Sequence, residues 1–187
     1  MNSPKFFKSP EFKYLLIAIL PIAAMFYTQT VNFVVLAFGE RVLLETVPVD
    51  PRDILRGDYV NLGYKISRID TEILRNSLGE ADEDFNYNRS SGREIFVTLQ
   101  KDERGIGTVK SVSATRPPGG LYLRGVITDR WSGIGYGIGV YYVPEGTGRE
   151  IEDRIRGMDE TQILVDVRVL RGHPVIKDLV EFEETVP

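Results

Sequence analysis

The sequence predicts a mainly β protein: one N-terminal transmembrane helix, followed by an antiparallel β sandwich or open barrel with two short helices. Two observations carry this prediction. No charged residue occurs between positions 14 and 39. Beyond this stretch, short segments of alternating apolar and polar residues end at glycine, proline or asparagine turn signals, which is the pattern of an antiparallel β domain.

The apolar stretch 14–39 is long enough to be a membrane anchor. Twenty-five residues of helix rise about 37 Å, whereas the hydrocarbon core of a bilayer is about 30 Å thick. A cleaved signal peptide is the alternative, but its apolar region is shorter and a small-residue cleavage site follows it. Three lysines precede the stretch within residues 1–13. The positive-inside rule therefore predicts a cytoplasmic tail and an extracytoplasmic domain over residues 40–187.

The predicted anchor carries a polar face. Asn32 lies three residues after Gln29 and four residues after Thr28, so a helix places the three side chains on one side. Polar groups at that depth lose free energy against lipid unless they are paired, and this favours a second membrane protein as the partner. The alternative is that helix tilt and local water tolerate a single amide.

The domain after the anchor is divided by its turn signals. Asp70 is a predicted N-cap and Gly79 a predicted helix stop. Residues 79–93 are acidic and polar, and they read as a mobile loop. The pattern predicts helices at 70–78 and 147–157, and strands at 41–49, 58–66, 94–100, 108–115, 121–127, 133–143, 162–170 and 175–182.

Composition excludes several classes of function. The chain has no cysteine, so disulfides, thiolate metal sites and cysteine nucleophiles are absent. Its formal net charge is −4 and it has no basic stripe, which argues against nucleic-acid binding. No motif predicts a cofactor or a metal site, and the single histidine, His173, reads as an exposed turn residue.

Two stretches carry more specific information. The first is Gly-Asp-Tyr-Val-Asn-Leu-Gly-Tyr at 57–64, and the second begins Tyr-Gly-Ile at 136 and continues through Tyr-Tyr-Val-Pro-Glu-Gly-Thr-Gly at 141–148. Together they resemble the bacterial family named for its GDYXXLXY motif. Where that family tends to have a glutamate after Tyr-Gly-Ile, this chain has Gly139. The resemblance implies an envelope protein, often encoded beside multi-span membrane proteins, without an established activity.

The candidate site is drawn from these two stretches. Turn chemistry alone explains Gly57 and Asp58. The alternative is that Asp58 and a tyrosine line a groove. The free N–H groups of the Pro144–Gly148 corner could hold an anion, although no phosphate-loop signature accompanies them. The candidate binding residues are Gly57, Asp58, Tyr59, Leu62, Tyr64, Tyr136, Tyr141, Pro144, Glu145, Gly146 and Gly148.

The sequence favours an accessory or binding subunit that associates with another integral membrane protein. This prediction rests on the polar face of the predicted anchor and on the lack of catalytic signatures. The catalytic residues are therefore unknown, and an enzyme is disfavoured. The alternative is an envelope hydrolase that acts on a glycan or wall substrate through Asp58 and Glu145. Carboxyl groups that cooperate in this way lie within about 10 Å of each other. An ion sensor based on the acidic residues 80–84 ranks last, because their spacing is not that of a calcium loop.

Overall fold

The computed structural model describes residues 10–47, 59–78, 90–128, 133–143 and 161–183. Two α-helices, α1 (Pro10–Phe38) and α2 (Thr71–Leu78), and a 3₁₀ turn (Lys65–Ser67) lie in these ranges. The strands there are β1 (Glu40–Val47), β2 (Tyr59–Asn61), β3 (Gly63–Tyr64), β4 (Glu94–Lys101), β5 (Gly107–Ser113), β6 (Tyr122–Ile127), β7 (Ile134–Gly135), β8 (Val140–Tyr142), β9 (Thr161–Leu170) and β10 (His173–Glu183).

The strands form antiparallel sheets. One sheet has the order β10-β9-β1-β3, a second has the order β5-β4-β6-β7, and β2 pairs with β8 as a separate ribbon. A parallel bridge between Leu43 and Ile106 connects the two larger sheets, and together they curl into a half-barrel. The predicted mainly β fold with antiparallel sheets is therefore confirmed.

The core fills the inside of this half-barrel. Alternate residues of β9 and β1 face inward, as do those of β4 and β6, because successive side chains of a strand point to opposite faces. Leu44, Ile95, Leu123 and Val165 are fully buried. Burial of each such side chain contributes roughly 1.5–3 kcal/mol, so these positions are the main source of the domain's stability.

The segment predicted as one strand at 58–66 is divided between two sheets. β2 pairs with β8 and β3 pairs with β1, and the chain changes partner at Leu62. The predicted alternation still holds, because Val60, Leu62, Tyr64 and Ile66 are all buried. Inward-facing side chains are thus set by the local period, whereas the strand partners are set by the arrangement of the sheets.

The segment predicted as one strand at 133–143 is also interrupted. β7 pairs with β6, and β8 pairs with β2. Gly137 lies between them with a φ of 78°, a conformation that glycine adopts without strain. This turn lets the chain leave one sheet and join another within a few residues.

Three local predictions are confirmed by hydrogen bonds or pairing. The Asp70 Oδ1 atom accepts the Glu72 N–H at 2.8 Å and caps α2. The β4–β5 hairpin forms as predicted, and β9 pairs with β10 along nearly their whole lengths. The last hairpin differs in its turn, which contains only Arg171 and Gly172, so His173 begins β10.

The first helix joins the domain directly. α1 ends at Phe38 and β1 starts at Glu40, so Gly39 alone forms the joint. Its N–H donates to the Val35 carbonyl at 2.7 Å, and a Cβ at this position would collide with that carbonyl and lie 3.0 Å from the Val169 nitrogen. The last two turns of α1 pack against β9 and β10, and Val35 is buried there.

Several sequence predictions lie outside the described residues. These are the helix at 147–157, most of the loop at 79–93, the helix stop at Gly79 and the tail up to residue 9. Six candidate site residues also lie there: Gly57, Asp58, Pro144, Glu145, Gly146 and Gly148.

Candidate functional site

Two tyrosines of the motif segments each donate a hydrogen bond across the core to a backbone carbonyl. The Tyr64 hydroxyl donates to the Ile138 carbonyl at 2.6 Å, and the Tyr136 hydroxyl donates to the Ile66 carbonyl at 2.8 Å. Each tyrosine thus bonds the backbone two residues beyond the other tyrosine. We call this reciprocal pair of bonds the tyrosine clasp, and it connects segments 64–66 and 136–138.

The environment of the clasp makes both phenols unreactive. Tyr64 and Tyr136 are almost completely buried, and burial raises the pKa of each phenol well above its ordinary value. Desolvation disfavours the phenolate, so both groups remain neutral donors at physiological pH. These candidate residues therefore hold the fold together and are unsuited to acid–base or nucleophilic chemistry.

The other described motif positions are also brought together. β2 and β8 pair with Tyr59 opposite Tyr142 and Val60 opposite Tyr141, and the Leu62 N–H donates to the Gly139 carbonyl at 2.9 Å. Leu62 fills the core. The sequence predicted both segments as candidate binding sites but did not predict that they are neighbours. The strand pairing shows that they are.

Gly139 does not have a backbone requirement for glycine. Its φ is not positive, and a Cβ there would meet the Leu62 carbonyl at an ordinary 3.7 Å. A side chain could therefore be accommodated where the family tends to carry glutamate. The residue itself is exposed, so such a side chain would face solvent beside β2.

The outer face of the β2–β8 ribbon presents an aromatic pair. The ring centroids of Tyr59 and Tyr142 lie 6.4 Å apart at a tilt of 58°. Tyr142 is 80% exposed, and its neighbour Val140 is also exposed, whereas Tyr141 packs against the core. Aromatic rings of this kind provide contact area for a ligand or a protein. Among the described residues, the accessible rings at the motif are those of the half-buried Tyr59 and of Tyr142, which the sequence analysis did not select as a candidate.

The carboxylates of the hydrolase alternative lie outside the described ranges. Asp58 precedes Tyr59 in the chain, and Glu145 follows Tyr142 by three residues. Because Tyr59 and Tyr142 are cross-strand neighbours, the two segments that carry these carboxylates start from the same end of the ribbon. The distance between the carboxyl groups stays a prediction.

The polar face of α1 is largely satisfied within the protein. The hydroxyls of Thr28 and Thr30 donate to the carbonyls of Met25 and Phe26, both at 2.8 Å. The Asn32 Oδ1 atom lies 3.4 Å from the His173 Nε2 atom, a contact that no sequence signal predicted. Gln29 is exposed and has no hydrogen-bond partner within the described residues. Of this face, Gln29 is therefore the side chain still open to a partner.

A buried ion pair lies on the other face of the first sheet. Asp166 is 4% exposed, and its Oδ2 atom is 2.9 Å from the Nε atom of the half-exposed Arg41. The second oxygen, Oδ1, has no hydrogen-bond partner in the described structure. No group of three or more His, Asp or Glu side chains within the described ranges could hold a metal ion. Asp166 therefore serves to pair β9 with β1.

A comparison with known protein families gives a match. The family model described as GDYXXLXY protein matches residues 21–179, which is most of the chain. Neither a curated protein nor a solved structure matches the chain. The match extends over α1 from residue 21, over the clasp and over both motif segments. The chain therefore belongs to the GDYXXLXY family.

Proposed function

We propose that this protein is a single-pass membrane protein whose extracytoplasmic β domain acts as an accessory or binding subunit of another integral membrane protein. Support comes first from α1. Among the described residues, the Lys13–Phe38 segment is the helix that is long and apolar enough to cross a membrane. Its large apolar side chains are exposed along almost the whole length. Exposed apolar surface of this extent requires lipid or another apolar surface around it.

The Gln29 side chain is the observation that supports a partner protein. Its neighbours Thr28, Thr30 and Asn32 each have a hydrogen-bonding contact, whereas Gln29 has none within the described residues. An amide exposed to hydrocarbon costs free energy until it finds a donor or acceptor. A helix of a partner protein can supply one, and the contact would then distinguish this partner from lipid.

The domain supports a binding role over a catalytic one. The motif tyrosines in the core are held as neutral donors by the clasp, and they are inaccessible to substrate. The accessible motif residues, Tyr59 and Tyr142, offer aromatic contact area. Such side chains bind surfaces well and catalyse little without a neighbouring acid or base.

The direct test is the size of the particle that contains the full-length chain. The protein is extracted from its own membranes in a mild detergent and separated by size-exclusion chromatography with light scattering. The expected particle contains a second integral membrane protein, and Gln29→Leu shifts the chain to the monomer. Tyr27→Leu is the matched control, because Tyr27 lies about 160° away around the helix. A wild-type chain that elutes only as a monomer contradicts the proposal.

The hydrolase alternative is favoured by one observation. Tyr59 and Tyr142 are cross-strand neighbours, and Asp58 and Glu145 lie one and three residues from them in the chain. If Asp58 and Glu145 act on a glycan, the purified full-length protein releases reducing ends from cell-wall polymers, and Asp58→Asn or Glu145→Gln abolishes the release. No release by the wild-type protein rules this alternative out.

A further inference from the structure

The turn between β9 and β10 extends back along the membrane helix. β1 leads away from α1, and β9 is antiparallel to β1, so β9 runs toward the helix. Val169 is opposite Glu40, the first residue of β1, and the chain then continues through Leu170 and the turn to His173. His173 contacts Asn32, which is six residues, or about 9 Å, before the end of α1.

The length of α1 places this contact at the edge of a bilayer. The Lys13–Phe38 segment has 26 residues and rises about 38 Å, which exceeds the hydrocarbon thickness of about 30 Å. From Lys13 to Asn32 the rise is about 28 Å, close to one hydrocarbon thickness. The excess is therefore the last two turns, which are the turns that pack against β9 and β10.

The opposite side of these two turns is apolar and exposed. Phe33 is 70% exposed and Phe38 is 75% exposed, although they lie beside a folded domain. They lie at the end of the exposed surface of α1, which is apolar except for threonine and glutamine side chains such as Gln29, one turn before Phe33. The interfacial layer of the membrane is the environment that covers such a surface while the other side of the helix contacts the domain.

Two arginines, Arg116 and Arg124, lie near the exposed Arg171 at this level, and the side chain of Arg124 is paired with Glu94. Arg171 and His173 are exposed at the turn, and the Arg124 N–H donates to the Gly172 carbonyl at 2.9 Å. Arg116 bonds the hydroxyl of Tyr122 at 2.6 Å, and the Tyr122 ring lies against Gly172. Guanidinium groups are the best matched protein donors for phosphate oxygens, which line the headgroup layer of a phospholipid bilayer.

The conformation of Arg171 is a second, independent observation. Its φ is 53°, and among the described residues it is the non-glycine residue with a positive φ. With Gly172 at a φ of 84°, the two residues form a hairpin turn in which asparagine or glycine is favoured at the first position. Arg171 therefore occupies a position where arginine is conformationally disfavoured, and strain of this kind often accompanies function.

We propose that the β9–β10 turn lies in the headgroup layer of the leaflet next to the domain, where Arg171 binds phospholipid phosphates and favours anionic lipid. This inference rests on the proposed membrane anchorage through α1. The turn and the last two turns of α1 together fix how the domain stands on the bilayer surface, because the helix enters β1 through one residue.

The position of the turn can be measured with spin labels. The chain has no cysteine, so Arg171→Cys and Lys65→Cys each give one labelling site on the full-length protein in nanodiscs. Lys65 pairs with Glu45, five residues along β1 from Glu40, or about 16 Å away from the helix. Collisions with a water-soluble nickel complex should be several-fold rarer at position 171 than at position 65. Equal collision rates contradict the proposal.

The lipid contact is tested with a variant that separates strain from binding. Thermal unfolding of the full chain is compared in nanodiscs of phosphatidylcholine with increasing fractions of phosphatidylglycerol. Arg171→Asn should unfold at a higher temperature in pure phosphatidylcholine, because the strain is relieved. It should also lose apparent affinity for phosphatidylglycerol by about fivefold. The control Arg68→Asn, an exposed arginine beyond β3, should leave the lipid response unchanged.

The outcomes distinguish the two proposals. A protein that alkaline carbonate removes from vesicles is not anchored by α1, and both proposals then fail. A protein that stays in the vesicles, but whose Arg171→Asn variant keeps the full response to phosphatidylglycerol, contradicts only the lipid contact of the turn.

Discussion

Removal of one hydroxyl from the tyrosine clasp tests whether the motif stabilises the fold. In Tyr64→Phe the ring still fills the core, so no cavity forms, but the buried Ile138 carbonyl loses its donor. An unsatisfied buried acceptor costs roughly 1–3 kcal/mol. The same reasoning applies to Tyr136→Phe and the Ile66 carbonyl. We expect each variant to lose about 1.5 kcal/mol of unfolding free energy, at the lower half of that range because the side-chain volume is kept.

The measurement is urea or thermal unfolding of the full-length protein in detergent, followed by the fluorescence of its single tryptophan. For a domain of this size, 1.5 kcal/mol corresponds to a lowering of the midpoint by roughly 3–6 °C. Because both bonds connect the same two segments, the double variant should show a coupling of at least about 0.5 kcal/mol. Tyr142→Phe is the control, since its side chain is 80% exposed and its hydroxyl faces solvent.

One outcome would refute this reasoning directly. If Tyr64→Phe and Tyr136→Phe unfold at the same midpoint as Tyr142→Phe, the clasp bonds do not stabilise the domain. The presence of Tyr64 and Tyr136 would then require an explanation in binding or catalysis instead.

Three further predictions concern the ionisation of the clasp tyrosines, the joint at Gly39 and the Arg41–Asp166 ion pair. Above pH 10 the unfolded state ionises both clasp tyrosines while burial keeps them protonated, so the unfolding free energy should fall by about 1.4 kcal/mol per pH unit for each, and a phenylalanine variant should remove its share of the slope. Gly39→Ala should lose roughly 2 kcal/mol in thermal unfolding, because its Cβ meets backbone, whereas Gly119→Ala, in open space, should be neutral. Arg41→Ala should lose about 2 kcal/mol by leaving Asp166 unpaired, and Asp166→Asn in that background should recover part of the loss in urea unfolding.

The clasp changes the meaning of the family motif. The pattern predicts a series of candidate binding residues, but its last tyrosine, Tyr64, bonds the second motif segment, and Tyr136 of that segment bonds the Ile66 carbonyl in return. The accessible chemistry is limited, among the described motif residues, to the rings of Tyr59 and Tyr142 on the outer face. Among the described residues of the motif, Tyr64 therefore has a structural role.

The joint at Gly39 connects the domain to α1. β1 is a central strand of the first sheet, and it begins one residue after α1. A tight joint packed against β9 and β10 transmits the orientation of the helix to the whole sheet. In the proposed function, a partner that contacts α1 thereby also sets the orientation of the domain.

Much of the fold could be predicted from the sequence, since it depends on local patterns. The uncharged stretch 14–39 predicted α1, alternation predicted that Val60 and Tyr64 face inward, and Asp70 predicted the cap of α2. Each of these follows from neighbours within a few residues, because helix and strand periods and capping bonds are local.

Only the tertiary structure decided which segments meet. The two clasp bonds join residues 74 and 70 positions apart, and the contact of Asn32 with His173 spans 141 positions. No local pattern encodes such pairs, because the partner of a tyrosine hydroxyl or of a strand edge depends on how the whole chain is folded. The sequence by itself therefore determined the elements and their inward faces. The packing of the sheets determined that Tyr64 and Tyr136 act as a clasp, and that the last turns of α1 pack against the domain.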